Sequence, residues 1–369
     1  MKIATSKEQF VTGVKAIFNS TTFLFLCIVD VLESLLSTGV VSFFPKIVQS
    51  FFNMSASTAS LVTGGAIVPA AVFGNILGGS LSKKFKWNAT GMILFAIIVE
   101  SSSLIFGGCF LFHCPRSEII GVDRDANFTS FSRFMPSVTM ARMEHTLNNT
   151  CNNRCSCDGS IYQPVCDTKE NVAYFSPCYA GCTDSVDNKY YSNCKCLSRT
   201  KDEPSTSTTV KDGLCGDGCF WMYPFFVLFA CYVCVAFSSA IPIQESELRS
   251  VPFDQRSLAF GIRWIFIRLL GTIPAPLLFG VFVDKACVVW KVDQNNKHLD
   301  CPLYNNAFLS TFIVVCGTAL KVLVVISLGL AWHFSRKASK VTPETYHEEQ
   351  ETGAAADQQC PSPKLNERF

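Results

Sequence analysis

Charge is scarce in this sequence. Lys, Arg, Asp and Glu make up 16% of its 369 residues and balance to a net charge of +2. Such a chain carries no long-range field to attract a polyanion. Its basic residues are scattered, without the stripe of a nucleic-acid surface. Histidine is scarcer still: the five present do not cluster, and no Ser-His-Asp or Cys-His arrangement is suggested. The glycines near Gly78 do not fit the G-x4-G-K-[ST] phosphate loop. Residues 1–19 are polar to mixed, with Lys2, Lys7 and Lys15, and lack the form of a cleavable signal peptide. The first apolar block is therefore expected to act as an uncleaved signal-anchor. These absences speak against an enzyme, a metal site, a cofactor or a nucleic-acid partner.

What the chain has instead is apolar sequence, 49% of its residues, gathered in long blocks. A bilayer-spanning helix needs about 20 such residues. Six blocks qualify, at 20–44, 59–81, 90–112, 220–243, 258–283 and 306–334. The fifth carries Arg263, Arg268, Pro274 and Pro276, which membrane helices tolerate where neighbours re-satisfy the backbone. With the N-terminus in the cytoplasm, Lys83, Lys84 and Lys86, then Arg249 and Arg256, then Arg336, Lys337 and Lys340 all fall on the cytoplasmic side. This is the positive-inside pattern. It predicts a plasma-membrane protein with both termini cytoplasmic and with 113–219 and 284–305 outside.

Nineteen cysteines give the same topology independently. Eight lie between Cys151 and Cys196, in a stretch almost free of aliphatic runs that needs staples to fold. Disulfides persist in oxidising compartments, so this stretch lies outside the cytosol. Cys151, Cys155, Cys157, Cys166, Cys178, Cys182, Cys194, Cys196, Cys215, Cys219, Cys287 and Cys301 are the expected disulfide cysteines. Cys114 makes the exterior count odd, and one thiol must remain unpaired. Cys114 is one candidate for it. Zinc is disfavoured, because the insert has no histidine. Asn127 and Asn148 head glycosylation motifs in the same loop.

The expected organisation is thus a cytoplasmic segment at 1–19, three spans within 20–112, and an exterior loop at 113–219 enclosing a module at 151–196. Three more spans follow within 220–334, then a disordered cytoplasmic tail at 335–369. The fold class is an all-α polytopic membrane protein with a small disulfide-rich extracellular insert.

The spacing Cys157-x8-Cys166-x11-Cys178-x3-Cys182-x11-Cys194, with Tyr174 before Cys178, resembles the Kazal-type domain. A rigid extracellular cap is the plain reading; a membrane-tethered protease inhibitor is the sharper and weaker one. Beyond the insert, FFPKIVQSFF at 43–52, GNILGGSLSKKFK at 74–86 and LRSVPFDQRSLAFGIRWIFIRLLGTIPAPLLFGVFVDKACVVW at 248–290 resemble the organic anion transporting polypeptides. That resemblance is to the family's C-terminal half. It implies six helices forming half of a major facilitator superfamily fold, without the family's tryptophan-rich signature. It also implies sodium-independent, alternating-access transport of bulky amphipathic anions: steroid conjugates, bile acids, thyroid hormones and prostaglandins. The implied partners are those anions, the bilayer, and a missing N-terminal half or other subunits. The alternative is a truncated isoform or fragment that acts as a non-transporting membrane interaction protein. The family commonly has a third cysteine in the last exterior loop, where this chain has Asn295. The partner of that missing cysteine is therefore expected to be free or reshuffled, with Cys114 one candidate; a free thiol at Cys287 or Cys301 would be the informative outcome.

Transport needs no bond-making residue, so ionisable groups within spans are the first candidates. Each costs roughly 2.5–3.5 kcal/mol at a helix centre and should have a partner or face water. Arg268 leads, because a guanidinium takes carboxylate or sulfate bidentately. The resemblance places a transport-linked arginine there; an internal ion pair is the other reading. Lys46 is expected at the outer end of the first span, either steering anions or snorkelling. Asp30 and Glu33 share a helix face and are expected as substrate-site or gating residues, paired with Arg268, Arg263 or Lys321. Proton coupling and simple lining are the other roles. Glu100 and Lys321 are read as a structural pair. Gly78, Gly79, Lys83 and Lys84 form a cytoplasmic loop motif in which the glycines allow close helix approach.

Overall fold

The computed structural model describes residues 2–54, 56–114, 119–120, 151–153, 155–158, 162–187, 189–197, 209–215, 219–292 and 298–341. Asn127 and Asn148 lie outside the described residues.

Six helical stretches are long and apolar enough to cross a membrane: Thr21–Phe52, Ser57–Phe85, Ala89–Leu111, Met222–Arg249, Phe253–Lys285 and Asn306–Ala338. They fall where the sequence places its six blocks, but most run longer. A short helix α1 (Lys2–Asn19) precedes them. Ile17 of α1 is buried with Phe23, Cys27, Val251 and Ala259. Residues 1–19, polar to mixed in sequence, thus form a helix that the apolar blocks do not mark.

Helix α2 (Thr21–Phe52) passes through Pro45 and Lys46 without ending. The apolar block read at 20–44 stops short of Pro45, which lacks a backbone donor. A single lost bond is tolerated inside a bundle. The helix closes instead at Asn53, whose left-handed backbone caps it with an N–H to Gln49 O. Lys46 is therefore inside the helix, and exposed.

Helices α3 (Ala56–Phe85) and α4 (Ala89–Gly107) follow. The fourth span is α5 (Met222–Ser238) and α6 (Ala240–Arg249), joined at Ser239. Ser238 Oγ and Ser239 Oγ donate back to Val235 O (2.7 Å) and Ala236 O (2.8 Å), the kind of back-bonding that bends helices. The fifth span is α7 (Arg256–Phe266), a π-helical turn at Ile267–Thr272, and α8 (Pro274–Lys285). Pro274 and Pro276 explain the widened turn, since neither has an N–H to continue the α-helical ladder. The turn is closed by Ile273 N–H to Arg268 O at 3.0 Å. The sixth span, α9 (Asn306–Val341), runs past the expected boundary at 334.

Close approach of α3 and α5 depends on glycine. A Cβ at Gly74 would meet the carbonyl oxygen of Cys234, and one at Gly78 that of Ser238. These two glycines, four apart, form a small-xxx-small contact. Gly79 faces only the tip of Ile241, at 3.4 Å, so the expected Gly78–Gly79 pair is corrected to Gly74 and Gly78. Spacing explains it: residues four apart share a helix face, and adjacent ones do not. Lys83 and Lys84 are exposed in the last turn of α3.

At one end of the bundle, Phe44, Phe110, Phe225 and Phe229 form an aromatic core, with Phe44 and Phe229 stacked at 4.3 Å. A second apolar cluster gathers Leu26, Val29, Ile93, Ile243, Val324 and Leu328.

The cysteine-rich insert forms a six-stranded sheet of very short strands, in the order β1-β3-β2-β6-β5-β4. These are β1 (Ile119–Ile120), β2 (Val165–Asp167), β3 (Val172–Tyr174), β4 (Asp184–Asp187), β5 (Tyr190–Ser192) and β6 (Val210–Asp212). Strands of two to four residues cannot hold a fold by burial, and four disulfides staple it: Cys151–Cys196, Cys157–Cys178, Cys166–Cys215 and Cys182–Cys194. Tyr174 is buried and donates its hydroxyl to Cys196 O at 3.0 Å. A hairpin of β7 (Cys287–Val292) and β8 (His298–Tyr304) carries a fifth bridge, Cys287–Cys301. Val289 and Leu303 of that hairpin pack on Ile119, Phe175 and Tyr179 of the insert. A sixth bridge, Cys114–Cys219, ties the chain just after α4 to the chain just before α5.

Two cysteine expectations are corrected. Cys114 is bonded, and Cys155, expected in a bridge, is the free thiol of the insert. Its neighbours Cys151 and Cys157 are closed on Cys196 and Cys178, and the other eight cysteines of the two loops are also paired, so no partner sulfur remains there. Cys287 and Cys301, expected in bridges, are bonded to each other, with Cα atoms 6.0 Å apart.

A candidate substrate pocket within the helical bundle

Between the two apolar clusters lies a pocket of about 220 Å³. Its walls are mostly apolar, drawing on Phe110, Phe229, Ile243 and Ile313. Its polar groups include Asp30, Glu33, Ser34, Ser239 and Lys321.

Asp30 and Glu33 reach it because they are three apart on α2, on adjoining faces. Asp30 Oδ2 accepts from Arg263 Nε of α7, and the same nitrogen is paired with Glu247 Oε2 of α6. Glu33 accepts twice from Lys321 Nζ of α9, at 2.8 and 2.9 Å. Lys321 Nζ also donates to Glu100 Oε2 of α4 at 2.6 Å. Glu100 Oε1 accepts from Ser239 Oγ. That hydroxyl has one proton and two acceptors in reach, Glu100 and Ala236 O, so it serves one at a time.

The result is two adjacent clusters, each of two carboxylates and one cation. Glu100 and Glu247 are fully buried, and Arg263 and Lys321 nearly so. Such groups are retained in a low-dielectric interior only when paired. Together they join α2, α4, α6, α7 and α9 through polar contacts, while α3 is held by its glycines.

Of the residues singled out from sequence, Asp30 and Glu33 line the pocket and Arg268 and Lys46 do not. Arg268 lies on the π-helical turn, exposed, with its guanidinium 5.5 Å from the Trp264 ring centroid. It makes no pair with Asp30 or Glu33, whose cations are Arg263 and Lys321. The π turn itself is pinned to α2: Gly271 packs against Val31 O and Ser34, and Ser34 Oγ bonds Thr272 Oγ1 at 3.0 Å. The Glu100–Lys321 pair is present, but it extends into the pocket through Glu33. Sequence reasoning missed Glu247 and Ser239. Ending the fourth span at 243 left Glu247 in a loop, although its placement four residues past Ile243 on a continuing helix was available. Nothing in the sequence marked Ser239.

Six helices apolar enough to cross a membrane, packed around two charged clusters, define a multi-pass membrane protein. Residues 1–309 match the sequence model of the Organic Anion Transporter Polypeptide (OATP) family, and the chain belongs to that family. It is 34% identical over 332 residues to solute carrier organic anion transporter family member 4C1 of Mus musculus, covering 88% of this chain and 44% of that protein. It is 33% identical to member 4A1 of Mus musculus, with 88% and 44% covered. Member 2B1 of Homo sapiens is 28% identical, with 91% and 45% covered. The chain spans less than half the length of these relatives.

Proposed function

We propose that this chain supplies the C-terminal half of a transporter that moves bulky amphipathic organic anions across the plasma membrane by alternating access, independently of sodium. In this reading its six helices are half of a major facilitator superfamily fold. Both termini are cytoplasmic, and the insert is a Kazal-like extracellular cap. The pocket carries the argument: apolar walls suit a steroid or similar skeleton, and a few convergent charged groups orient its anionic end. Family membership supports the substrate class; steroid conjugates, bile acids, thyroid hormones and prostaglandins all have this chemistry. Arg268, exposed beside the bundle on a widened turn, is assigned to gating or to contact with the substrate from the other half. Lys46 is assigned to steering anions toward the mouth.

Uptake of a labelled steroid sulfate tests the reading, in cells expressing this chain alone and joined to the N-terminal half of a relative. Uptake by the joined form supports it. No uptake by either form, with both at the cell surface, overturns it. Uptake by the joined form alone marks the single chain as a membrane interaction protein that needs a partner.

A further inference from the structure

The two carboxylates bonded to Lys321 are not equivalent. Glu100 is fully buried and anchored on both oxygens, by Lys321 and by Ser239. Glu33 has a side chain 26% exposed and lines the pocket. Among the described residues, both of its hydrogen bonds go to Lys321. The ammonium therefore has one fixed ligand and one at the pocket surface.

The charges facing Glu33 are Asp30 on its own helix, Glu100 from α4 and Lys321 from α9, with the Tyr232 hydroxyl of α5 alongside. Arg263 and Glu247 complete the neighbouring cluster. Counted with all carboxylates ionised, each cluster carries one excess negative charge. An entering anion is repelled unless one carboxylate withdraws or is neutralised.

We propose that Lys321 is an anion-binding residue held in reserve by Glu33, and that the organic anion takes Glu33's place on the ammonium as Glu33 takes up a proton. Glu33 gains one proton from pocket water. Its two bonds to Lys321 break, and two form from the ammonium to sulfate or carboxylate oxygens of the ligand. Lys321, Glu33 and Glu100 sum to one negative charge before the exchange, and with the ligand they sum to one negative charge after it. One proton therefore enters the pocket with each anion. Glu100 keeps Lys321 in place throughout. This proposal rests on the pocket being the organic-anion site.

The test is equilibrium binding of a radiolabelled steroid sulfate to the chain joined to the N-terminal half of a relative, purified in lipid nanodiscs, at about pH 5.5 and about pH 8. Wild type is expected to bind about tenfold tighter at the acid pH. Glu33→Gln, which cannot ionise, is expected to bind tightly at both and to lose the pH difference. Lys321→Gln is expected to bind weakly at both, and Glu33→Gln added to it to give no gain. Thermal midpoints accompany each variant; if Lys321→Gln does not fold, the Glu33→Gln comparison decides alone. Wild-type binding that is indifferent to pH, with Glu33→Gln no tighter, overturns the exchange and leaves the pocket's role standing. Absence of wild-type binding at both pH values overturns the pocket's role and the exchange together.

Discussion

Asp30 and Glu33 sit one turn apart on the same helix yet are bonded to different cations, Arg263 on α7 and Lys321 on α9. Helix α2 is thereby the polar axis of the bundle. Two carboxylates with separate partners can also change state separately.

Arg263 is paired with two carboxylates, Asp30 largely buried at the pocket wall and Glu247 fully buried. Arg263→Met leaves both uncompensated, and a loss of about 3–5 kcal/mol is expected. Adding Asp30→Asn and Glu247→Gln to Arg263→Met removes the charge imbalance and should recover most of that loss. Denaturation of the purified protein in detergent measures both. A single variant as stable as wild type would show that Arg263 does not organise this cluster.

Gly74 and Gly78 should not tolerate a methyl group, because backbone carbonyls of α5 occupy its space. Alanine at either position is expected to cost about 1–3 kcal/mol, as over-packing does. Gly79→Ala should stay within about 0.5 kcal/mol. Thermal midpoints of the three variants rank them, and equal midpoints would refute the contact.

Arg268 stands apart from both clusters. Arg268→Ala is expected to lower steroid-sulfate uptake by the joined transporter about tenfold without changing the thermal midpoint. Arg268→Lys keeps the charge and should retain more activity, though less than wild type because it loses the planar guanidinium. Matching uptake in all three proteins would remove Arg268 from the transport path.

Cys155 should be the exterior cysteine that reacts with a membrane-impermeant maleimide before reduction. Peptide mapping locates the label. Cys155→Ser should abolish it and leave surface expression unchanged, whereas Cys114→Ser opens a bridge across 105 residues. The latter should lower stability by on the order of 4 kcal/mol on the chain-entropy account. Label on Cys287 or Cys301 would contradict the pairing.

The six spans were legible because hydrophobic length is a strong one-dimensional signal, and each appears where an apolar block stands. Their ends were not, because helix ends are set by caps and neighbours: Asn53 closes α2 well past Pro45, and Ser239 lets the fourth span continue as α6. The site was half legible. Asp30 and Glu33 stood out as carboxylates in apolar sequence, and Lys321, Arg263 and Glu100 were named for the same reason. Which acid met which base depended on how five helices are rotated about their axes, and sequence does not encode that locally. Arg268 illustrates the gap. It is the arginine that the family resemblance favours, yet its buried neighbour Arg263, five residues earlier, holds the cluster. Cysteine counting required one odd thiol, but only the fold selects Cys155.

The Cys114–Cys219 bridge joins the two helix ends between which the long loop runs. To the membrane bundle, the long excursion between them is a closed ring hung from one covalent knot. A protease cut anywhere between those two cysteines leaves α4 and α5 connected until the knot is reduced. The ring is then free to grow, shrink or exchange its modules without altering the distance between the helices beneath it.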